Sequence, residues 1–231
     1  MVILITGITS GFGRAMAARL NSDGHKVYGT YRRDSNQIPG VTYLKADVQN
    51  EESLKSAVNH IIEHEGRIDT VISNAGMGIG GPLEFTSIDD AQRQMDVNFM
   101  GMVRLLNLVV PIMRRQKHGH IICVSSIGGL MGLPYQGMYS ASKFAIEGYC
   151  EALRLEVRQF GIKVTVINPG DFSTSFTAQR NKVDNPDALA AYPGYAKSMQ
   201  SIEHDENTGL MPDYLARRIS RIVRKKHPAN R

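Results

Sequence analysis

Short apolar runs alternate with amphipathic helical segments along most of the chain. The runs have the continuous apolar character of strands that are buried on both faces of a sheet. They lie at residues 2–5, 25–31, 41–46, 69–73, 120–124 and 162–167. Helical periodicity predicts helices over residues 14–20, 53–65, 90–116, 138–160 and 212–226. This alternation predicts an α/β fold in which helices cover both faces of a parallel sheet.

Residues 171–211 break this pattern, because they show neither a strand run nor sustained helical spacing. Loops of this length inside a compact domain usually form lids or binding loops. We therefore predict a substrate-binding loop at 171–211, with several small helices at most, within a single domain that spans residues 1–231.

The composition is that of one globular domain. The chain has 231 residues, of which 42% are apolar and 21% are charged. The net charge of +5 suits anionic ligands. Basic residues crowd the last predicted helix, but no aromatic residues interleave with them, so we expect a solvated face and no nucleic-acid partner.

Cysteine use and the length of the apolar segments favour the cytoplasm. Cys123 and Cys150 lie in apolar surroundings and are interpreted as buried thiols in a reducing compartment. The apolar stretch Met100–Met113 is interrupted by an arginine, an asparagine and a proline, and Val2–Ile5 is too short for a secretory signal. We expect a cytoplasmic protein without a membrane partner.

A glycine-rich segment follows the first strand directly. Thr6–Gly13 has the spacing Gly-x-x-x-Gly-x-Gly, with glycines at 7, 11 and 13, and leads into a predicted helix. Such glycines let the backbone approach a phosphate closely, and a helix N-terminus offers free N–H groups to an anion. A glycine turn without a ligand is the alternative, but the strand–loop–helix order favours dinucleotide binding.

The ends of the second and third strands carry charged residues. At the second, a dinucleotide-binding fold usually places an acid for a ribose 2′-hydroxyl or an arginine for a 2′-phosphate. The sequence there is Tyr31-Arg32-Arg33, which favours NADP over NAD unless both arginines are solvated loop residues. Asp47 and Val48 end the third strand, where the carboxylate either accepts from an adenine or caps the next helix.

A tyrosine and a lysine four residues apart form the strongest candidate for chemistry. Tyr139 and Lys143 fall on the same face of a predicted helix. A nearby positive charge lowers the pKa of a phenol from about 10, which suits it to general acid–base catalysis. Alone, this spacing also fits ordinary surface packing. Ser126 closes the fifth strand, at the edge where open α/β sheets build their sites.

Three further segments have both a functional and a structural interpretation. Asn74-Ala75-Gly76 ends the fourth strand, where small residues admit a flat ring and Asn74 can tie neighbouring strands together. Asn98 lies within a predicted helix, where an asparagine disturbs the backbone ladder. His60–His64 matches the His-x-x-Glu-His zinc pattern, but its histidines fall on a polar helix face, so we expect no metal site.

Taken together, these motifs resemble the short-chain dehydrogenase/reductase family over almost the whole chain. The residues that match, in family order, are Thr6–Gly13, Asn74–Gly76, Asn98, Ser126, Tyr139, Lys143 and Pro169-Gly170. The segment 125–134 is similar to the branch that holds the 17β-hydroxysteroid and retinol dehydrogenases. The resemblance implies a Rossmann-type doubly wound parallel sheet in the order 3-2-1-4-5-6. Members usually continue into a seventh strand, which is expected to be missing here.

The resemblance also implies hydride transfer between a nicotinamide and a carbonyl or alcohol carbon. Tyr139 would be the general acid–base, and Lys143 would hold the nicotinamide ribose and lower the pKa of Tyr139. Ser126 would bind the substrate oxygen, and Asn98 would order a water that relays protons to Lys143. The resemblance also implies the residues that contact the cofactor. At the pyrophosphate these would be the loop glycines Gly7, Gly11 and Gly13, with Ser10 and Phe12, and at the 2′-phosphate Arg32. The adenine would contact Asp47 and Val48, the ribose Asn74, Ala75 and Gly76, and the nicotinamide amide Thr174, with Pro169 as a further cofactor-binding residue.

Substrate and assembly are less constrained. The aromatic residues of the 171–211 loop suggest an apolar carbonyl or alcohol substrate such as a steroid, a retinoid or an aromatic ketone, although they also suit packing the loop down: Phe172, Phe176, Tyr192 and Tyr195. A non-catalytic NADP(H)-binding regulator on the same fold is the main alternative; an epimerase would usually show Gly-x-x-Gly-x-x-Gly. Helices 90–116 and 138–160 resemble the family's dimer-forming pair, so we expect a homodimer or homotetramer.

Overall fold

The computed structural model describes residues 1–34 and 36–230, and its main feature is a sheet of six parallel strands. The strands are β1 Val2–Thr6, β2 Lys26–Tyr31, β3 Thr42–Lys45, β4 Thr70–Ser73, β6 Gly119–Val124 and β7 Ile162–Ile167. Their order is β3-β2-β1-β4-β6-β7. A short additional strand, β5 Ile79–Gly80, shifts the numbering, so the predicted order 3-2-1-4-5-6 of the main strands is confirmed.

The central strand β1 is apolar from Val2 to Ile5 because both of its faces are covered. Ile3, Leu4 and Ile5 are completely buried. Leu4 faces one hydrophobic cluster, whereas Ile3 and Ile5 face the other, as the two-residue period of a strand requires. Burial on both faces thus explains the absence of polar alternation in this strand.

Helices cover both faces of the sheet. One layer consists of α1 Gly11–Ser22 and α9 Pro212–Val223, which pack against each other and share the cluster that contains Ile3. The opposite layer contains α2 Glu51–Glu65, α4 Gly101–Gln116 and α5 Gly137–Val157. The arrangement is the Rossmann-like, doubly wound α/β fold that the resemblance implied.

The predicted helix 90–116 forms as a continuous segment that starts slightly earlier. It comprises α3 Ile88–Met95, a π-helical turn Asp96–Met100 and α4. By length and composition alone, Ile88–Gln116 is apolar enough to cross a membrane, and a third of its most apolar window is buried. Its buried residues pack into the hydrophobic cluster on one face of the sheet.

The predicted loop 171–211 is more structured than the sequence suggested. It contains α6 Ser175–Ala178, β8 Asn181–Lys182 and α7 Pro186–Ala191, as expected for small elements, but also α8 Tyr195–Thr208 with 14 residues. The prediction of small helices at most is therefore wrong. Strand β8 pairs in parallel with β5, and this pairing attaches the segment to the body of the molecule. We call residues 171–211 the lid.

Beyond β7, the described residues contribute no further strand to the main sheet. A stretch near the end of the described chain nevertheless contacts this edge. The backbone N–H of Val166 donates to the carbonyl of Asn230 at 3.0 Å, and the Thr165 hydroxyl donates to the carbonyl of Ala229 at 3.0 Å. The open edge of β7 is thus partly paired.

A seam of hydrogen bonds joins the carboxyl ends of β1 and β4. The Thr6 hydroxyl oxygen accepts from the backbone N–H groups of Asn74 and Ala75, both at 3.0 Å. The Asn74 side-chain amide in turn donates to the carbonyl oxygens of Thr6, at 2.9 Å, and Gly7, at 3.2 Å. Asn74 therefore has the strand-tying role that was one of its two sequence interpretations.

We expect Thr6→Val to lower the free energy of unfolding by about 2–4 kcal/mol. The substitution keeps the side-chain shape but leaves two partly buried N–H groups without their acceptor, at about 1–2 kcal/mol each, the lower part of the range for buried groups. The matched control is Thr30→Val, because the Thr30 hydroxyl accepts only from Gly7, at 3.4 Å, and that N–H also reaches the Thr30 carbonyl. Urea unfolding measures both variants. Equal losses in the two would show that the seam is unimportant.

Candidate active site

A cleft of about 1050 Å³ opens at the carboxyl edge of the sheet. The strand ends form its floor, and the lid forms one wall. All of the predicted site residues line this cleft except Gly13 and Asn98, which lie immediately behind its wall. The structure therefore brings predicted residues from seven separate segments to one location.

The glycine loop has the geometry that a phosphate requires. Gly7 and Gly11 adopt left-handed backbone angles, with φ of +72° and +49°. A Cβ at Gly13 would lie 2.0 Å from the carbonyl oxygen of Gly7, so only glycine fits there. Ser10 is the N-cap of α1 but makes no side-chain cap bond, which leaves backbone N–H groups of the first turn available to an anion.

Arg32 and Asp47 face each other at the far end of the cleft. The Arg32 guanidinium lies 3.9 Å from the Asp47 carboxylate, and its side chain is 52% exposed. Asp47 accepts from the backbone N–H of Gln49 at 3.0 Å, whereas Asn50 caps α2 by accepting from Ser53 at 2.9 Å. The alternative in which Asp47 caps the helix is thus wrong, and its second carboxylate oxygen faces the cleft residue Arg32. A phosphorylated dinucleotide fits this combination of free N–H groups and arginine.

Asn98 lies in the π-helical turn and is 3% exposed. Its side-chain oxygen accepts from the backbone N–H of Met77 at 2.8 Å, and its amide donates to the Met77 carbonyl and to the Ser142 hydroxyl, both at 3.0 Å. Asn98 therefore ties the cleft-lining residue Met77 to the helix that carries Tyr139 and Lys143. The predicted water relay stays a prediction.

Tyr139, Ser126 and Lys143 come together from two elements. Tyr139 and Lys143 lie on α5, and Ser126 follows β6. Tyr139 and Ser126 both lie against Gly128: the Ser126 hydroxyl accepts from the Gly128 N–H at 3.1 Å, and a Cβ at Gly128 would lie 3.3 Å from the Tyr139 ring and 3.5 Å from the Ser126 oxygen. The Lys143 ammonium donates to the Val124 carbonyl at 2.9 Å and lies 5.6 Å from the centre of the Tyr139 ring. A phenol, a serine hydroxyl and a buried cation thus share one corner of the cleft.

The electrostatics of this corner differ from expectation in one respect. Burial raises the pKa of Tyr139 above its usual value, against opposing effects from the Ser126 hydrogen bond and the Arg180 charge. Burial also lowers the pKa of Lys143 to about 8. The net pKa of Tyr139 is therefore raised, since burial is the largest effect on it, and the lowering by Lys143 stays a prediction.

Arg180, Glu206, Asn168 and Glu147 are site residues that carried no sequence signal. In the lid, the buried Arg180 is paired with Glu206 and lies beside Phe176, one of the predicted loop aromatics, whose ring is 5.7 Å from that of Tyr139. Behind the cleft, the Asn168 amide donates to the Ser126 carbonyl at 3.1 Å and to the buried Glu147 carboxylate at 2.6 Å. These contacts join residues far apart in sequence, so no local pattern announces them.

The His-x-x-Glu-His pattern has a structural explanation. His60 and His64 stack on each other on α2, with ring centres 4.1 Å apart, and the ring nitrogen of His64 contacts the carbonyl of His60 at 2.7 Å. They lie outside the cleft. Within residues 1–34 and 36–230, no group of three or more potential metal ligands comes together.

Similar proteins agree with this geometry. The chain is 48% identical to a 3-ketodihydrosphingosine reductase from Bacteroides thetaiotaomicron, over 98% of this chain and 85% of that protein. It is 33% identical to retinol dehydrogenase 8 from Bos taurus, over 98% of this chain and 78% of that protein. A crystal structure of a short-chain dehydrogenase from Streptomyces avermitilis superposes with a TM-score of 0.86 at 27% identity, covering 100% of this chain and 86% of that one.

The resemblance seen in the motifs is thus confirmed at the level of the whole sequence and of the fold. The family model described as short chain dehydrogenase matches residues 1–185, which include the glycine loop, Ser126, Tyr139 and Lys143. The chain belongs to the short-chain dehydrogenase/reductase family, whose members are NAD(P)-dependent oxidoreductases acting on alcohol and carbonyl groups.

Proposed function

We propose that this family member is an NADP(H)-dependent reductase of an apolar carbonyl compound. The observation that carries the proposal is that Tyr139 and Ser126 lie side by side against Gly128 in the cleft, with the buried ammonium of Lys143 5.6 Å from the Tyr139 ring. The glycine loop opens into the same cleft. A cofactor and a carbonyl substrate can therefore be bound next to a proton donor.

The residues of this corner divide the chemistry between them. A bound nicotinamide supplies or accepts the hydride. In carbonyl reduction the Tyr139 phenol gives its proton to the substrate oxygen, and the Ser126 hydroxyl donates a hydrogen bond to the same oxygen as its negative charge develops. To bind ribose hydroxyls, the Lys143 ammonium would give up its hydrogen bond to the Val124 carbonyl or share it with them. Its positive charge would then favour loss of the Tyr139 phenolic proton.

The preference for NADP(H) rests on Arg32. Its half-exposed guanidinium is available to a 2′-phosphate, and Arg33 and Asp34 follow it along the cleft. A bidentate arginine–phosphate contact is strong and specific. Asp47 already faces Arg32 and would accept from the adenine amino group, while its partner takes the phosphate. If the protein preferred NAD(H), which has no 2′-phosphate, Arg32 would have no such group to bind in this position.

Two features support an apolar substrate that also carries a polar group. Phe176 lies against Tyr139, and Phe172 contacts Phe12 edge-on at 4.9 Å, so both rings contribute to the cleft. Tyr192 and Tyr195 instead contact Tyr135 and hold the lid down. The relative from Bacteroides thetaiotaomicron is named for a long-chain keto amino alcohol, and we propose a substrate of that general kind before the steroid, retinoid or aromatic ketone classes.

Assembly and location extend the proposal. Phe144 and Leu155 expose large apolar side chains on α5, and these support a homodimer or homotetramer formed through α4 and α5. The two buried free thiols, Cys123 and Cys150, support a cytoplasmic location. A non-catalytic NADP(H)-binding regulator is the competing function, and it would make no use of the Tyr139 phenol.

We expect Tyr139→Phe to retain NADPH binding and to lose turnover by ~10²–10⁴-fold, because the acid–base proton is removed while the ring remains. The control is Tyr149→Phe on the same helix, whose ring contacts Phe99 outside the cleft. Isothermal titration measures NADPH binding, and loss of NADPH absorbance with a long-chain ketone measures turnover. Full activity of the Tyr139 variant would refute the proposed function.

We expect kcat/KM for carbonyl reduction to be constant below about pH 8 and to fall above it. Lys143, whose pKa is about 8, must be protonated to hold the ribose, whereas the raised pKa of Tyr139 keeps the phenol protonated over this range. Lys143→Arg stays charged at every accessible pH, so its lower activity should show no fall near pH 8. The same fall in both proteins would mean that another group controls the profile.

A further inference from the structure

Arg180 is a buried arginine whose donors are only partly used. The residue lies between α6 and β8 in the lid and is 5% exposed. One terminal nitrogen, Nη2, donates to the Glu206 carboxylate. The other two nitrogens, Nε and Nη1, find no acceptor among the described residues. The N–H groups on Nε and Nη1 of Arg180 are therefore buried without a hydrogen-bond acceptor among the described residues.

Leaving such donors unpaired is costly, since a buried polar group without a partner loses its hydration and gains nothing in return. The neighbouring carboxylate does not resolve this. The Glu206 oxygens are already engaged by Arg180 Nη2 and by the Thr177 hydroxyl, which donates at 2.7 Å. Glu206 thus satisfies neither Nε nor Nη1, and both stay free to donate to an acceptor that enters the cleft.

The position of Arg180 makes the substrate the natural source of that acceptor. Arg180 and Tyr139 line the same cleft. The Phe176 ring lies between them, 5.7 Å from the Tyr139 ring and 5.7 Å from the guanidinium carbon. A Cβ at Gly78 would lie 2.8 Å from the Phe176 ring and 3.6 Å from Arg180 Nε, so the opposite wall is closed by bare backbone. A substrate oxygen held at Tyr139 is thus separated from the free donors by the Phe176 ring, and that ring would have to turn for the substrate to reach them.

The surrounding charge decides what kind of acceptor fits. Arg180 and Glu206 together are neutral, and two further carboxylates, Asp171 and Asp205, line the same cleft. Burial and the charges of Glu206 and Asp205 raise the pKa of Asp171, which indicates a locally negative potential. A carboxylate or phosphate ligand would be repelled here. A hydroxyl or a second carbonyl oxygen accepts a hydrogen bond without that repulsion, and a nearby ammonium group is tolerated.

We propose that Arg180 is a specificity-determining residue that donates hydrogen bonds to a neutral oxygen, carried by the substrate a few atoms from its reacting carbonyl. Phe176 turns aside when that oxygen enters. The substrate class is then an apolar ketone with a neighbouring hydroxyl or second carbonyl oxygen. This inference rests on the proposed function, because it names the substrate class of the same cleft.

The test compares the binding of two ligands that differ in one group: a long-chain β-hydroxy ketone and the ketone of the same length without the hydroxyl. Isothermal titration measures both dissociation constants on protein saturated with NADP⁺. In the wild type we expect the hydroxy ketone to bind more tightly. In Arg180→Met we expect this preference to fall by ~10–100-fold, the value of one hydrogen bond to a charged donor.

Two companion variants separate recognition from stability of the lid. Glu206→Gln breaks the ion pair but keeps the guanidinium, so the preference for the hydroxy ketone should persist. Arg180→Lys keeps a charge for Glu206 but loses the planar fork, so the preference should fall even if the methionine variant does not fold. An unchanged preference in whichever Arg180 variant folds, or a wild type that shows no preference, overturns the inference.

Turnover with NADPH is measured separately on the wild type with the same two ketones. If the protein reduces both ketones but its binding preference does not depend on Arg180, the proposed function is supported and the inference is wrong. If the protein binds the hydroxy ketone selectively through Arg180 but reduces neither ketone, the inference is supported and the proposed function is wrong.

Discussion

The parallel direction of the six main strands is the constraint on which the site depends. Because every strand ends at the same edge, residues that follow β1, β2, β4, β6 and β7 meet in one cleft. The hydrogen bonds between Thr6 and Asn74 hold the carboxyl ends of β1 and β4 next to each other. The glycine loop on one side of that seam and Met77 on the other are therefore held in register with the catalytic corner.

The charged residues of the cleft differ along its length. At one end Arg32 and Arg33 lie with Asp34 and Asp47, and the two guanidinium groups suit the phosphates of a dinucleotide. At the lid end Asp171 and Asp205 add negative charge to the neutral pair of Arg180 and Glu206. Between them, burial moves the pKa values of Tyr139 and Lys143 in opposite directions, towards the neutral form of each. Lys143, with a pKa of about 8, still carries most of its positive charge at neutral pH, beside a Tyr139 phenol that stays protonated.

The sequence predicts the sheet and the floor of the cleft well, because continuous apolar strands and glycine spacing are local signals. It predicts the lid poorly. The strands β5 and β8 have two residues each and pair through backbone groups, which leave no pattern of side chains. Helix α8 buries only Tyr195 and Met199, so its apolar periodicity is weak. Arg180 looks like a surface arginine in the sequence, and its burial follows from contacts with Glu206, which is 26 residues away.

The most direct test of this account is equilibrium titration of the protein with NADPH and with NADH. We predict that NADPH binds about 10–100-fold more tightly, as expected for an arginine–phosphate contact, and that Arg32→Asp removes the difference. Arg115→Asp, which makes the same change in net charge at an exposed position outside the cleft, should preserve it. Equal affinity of the unaltered protein for both cofactors would contradict the role of Arg32, and binding of neither would contradict the cofactor site itself.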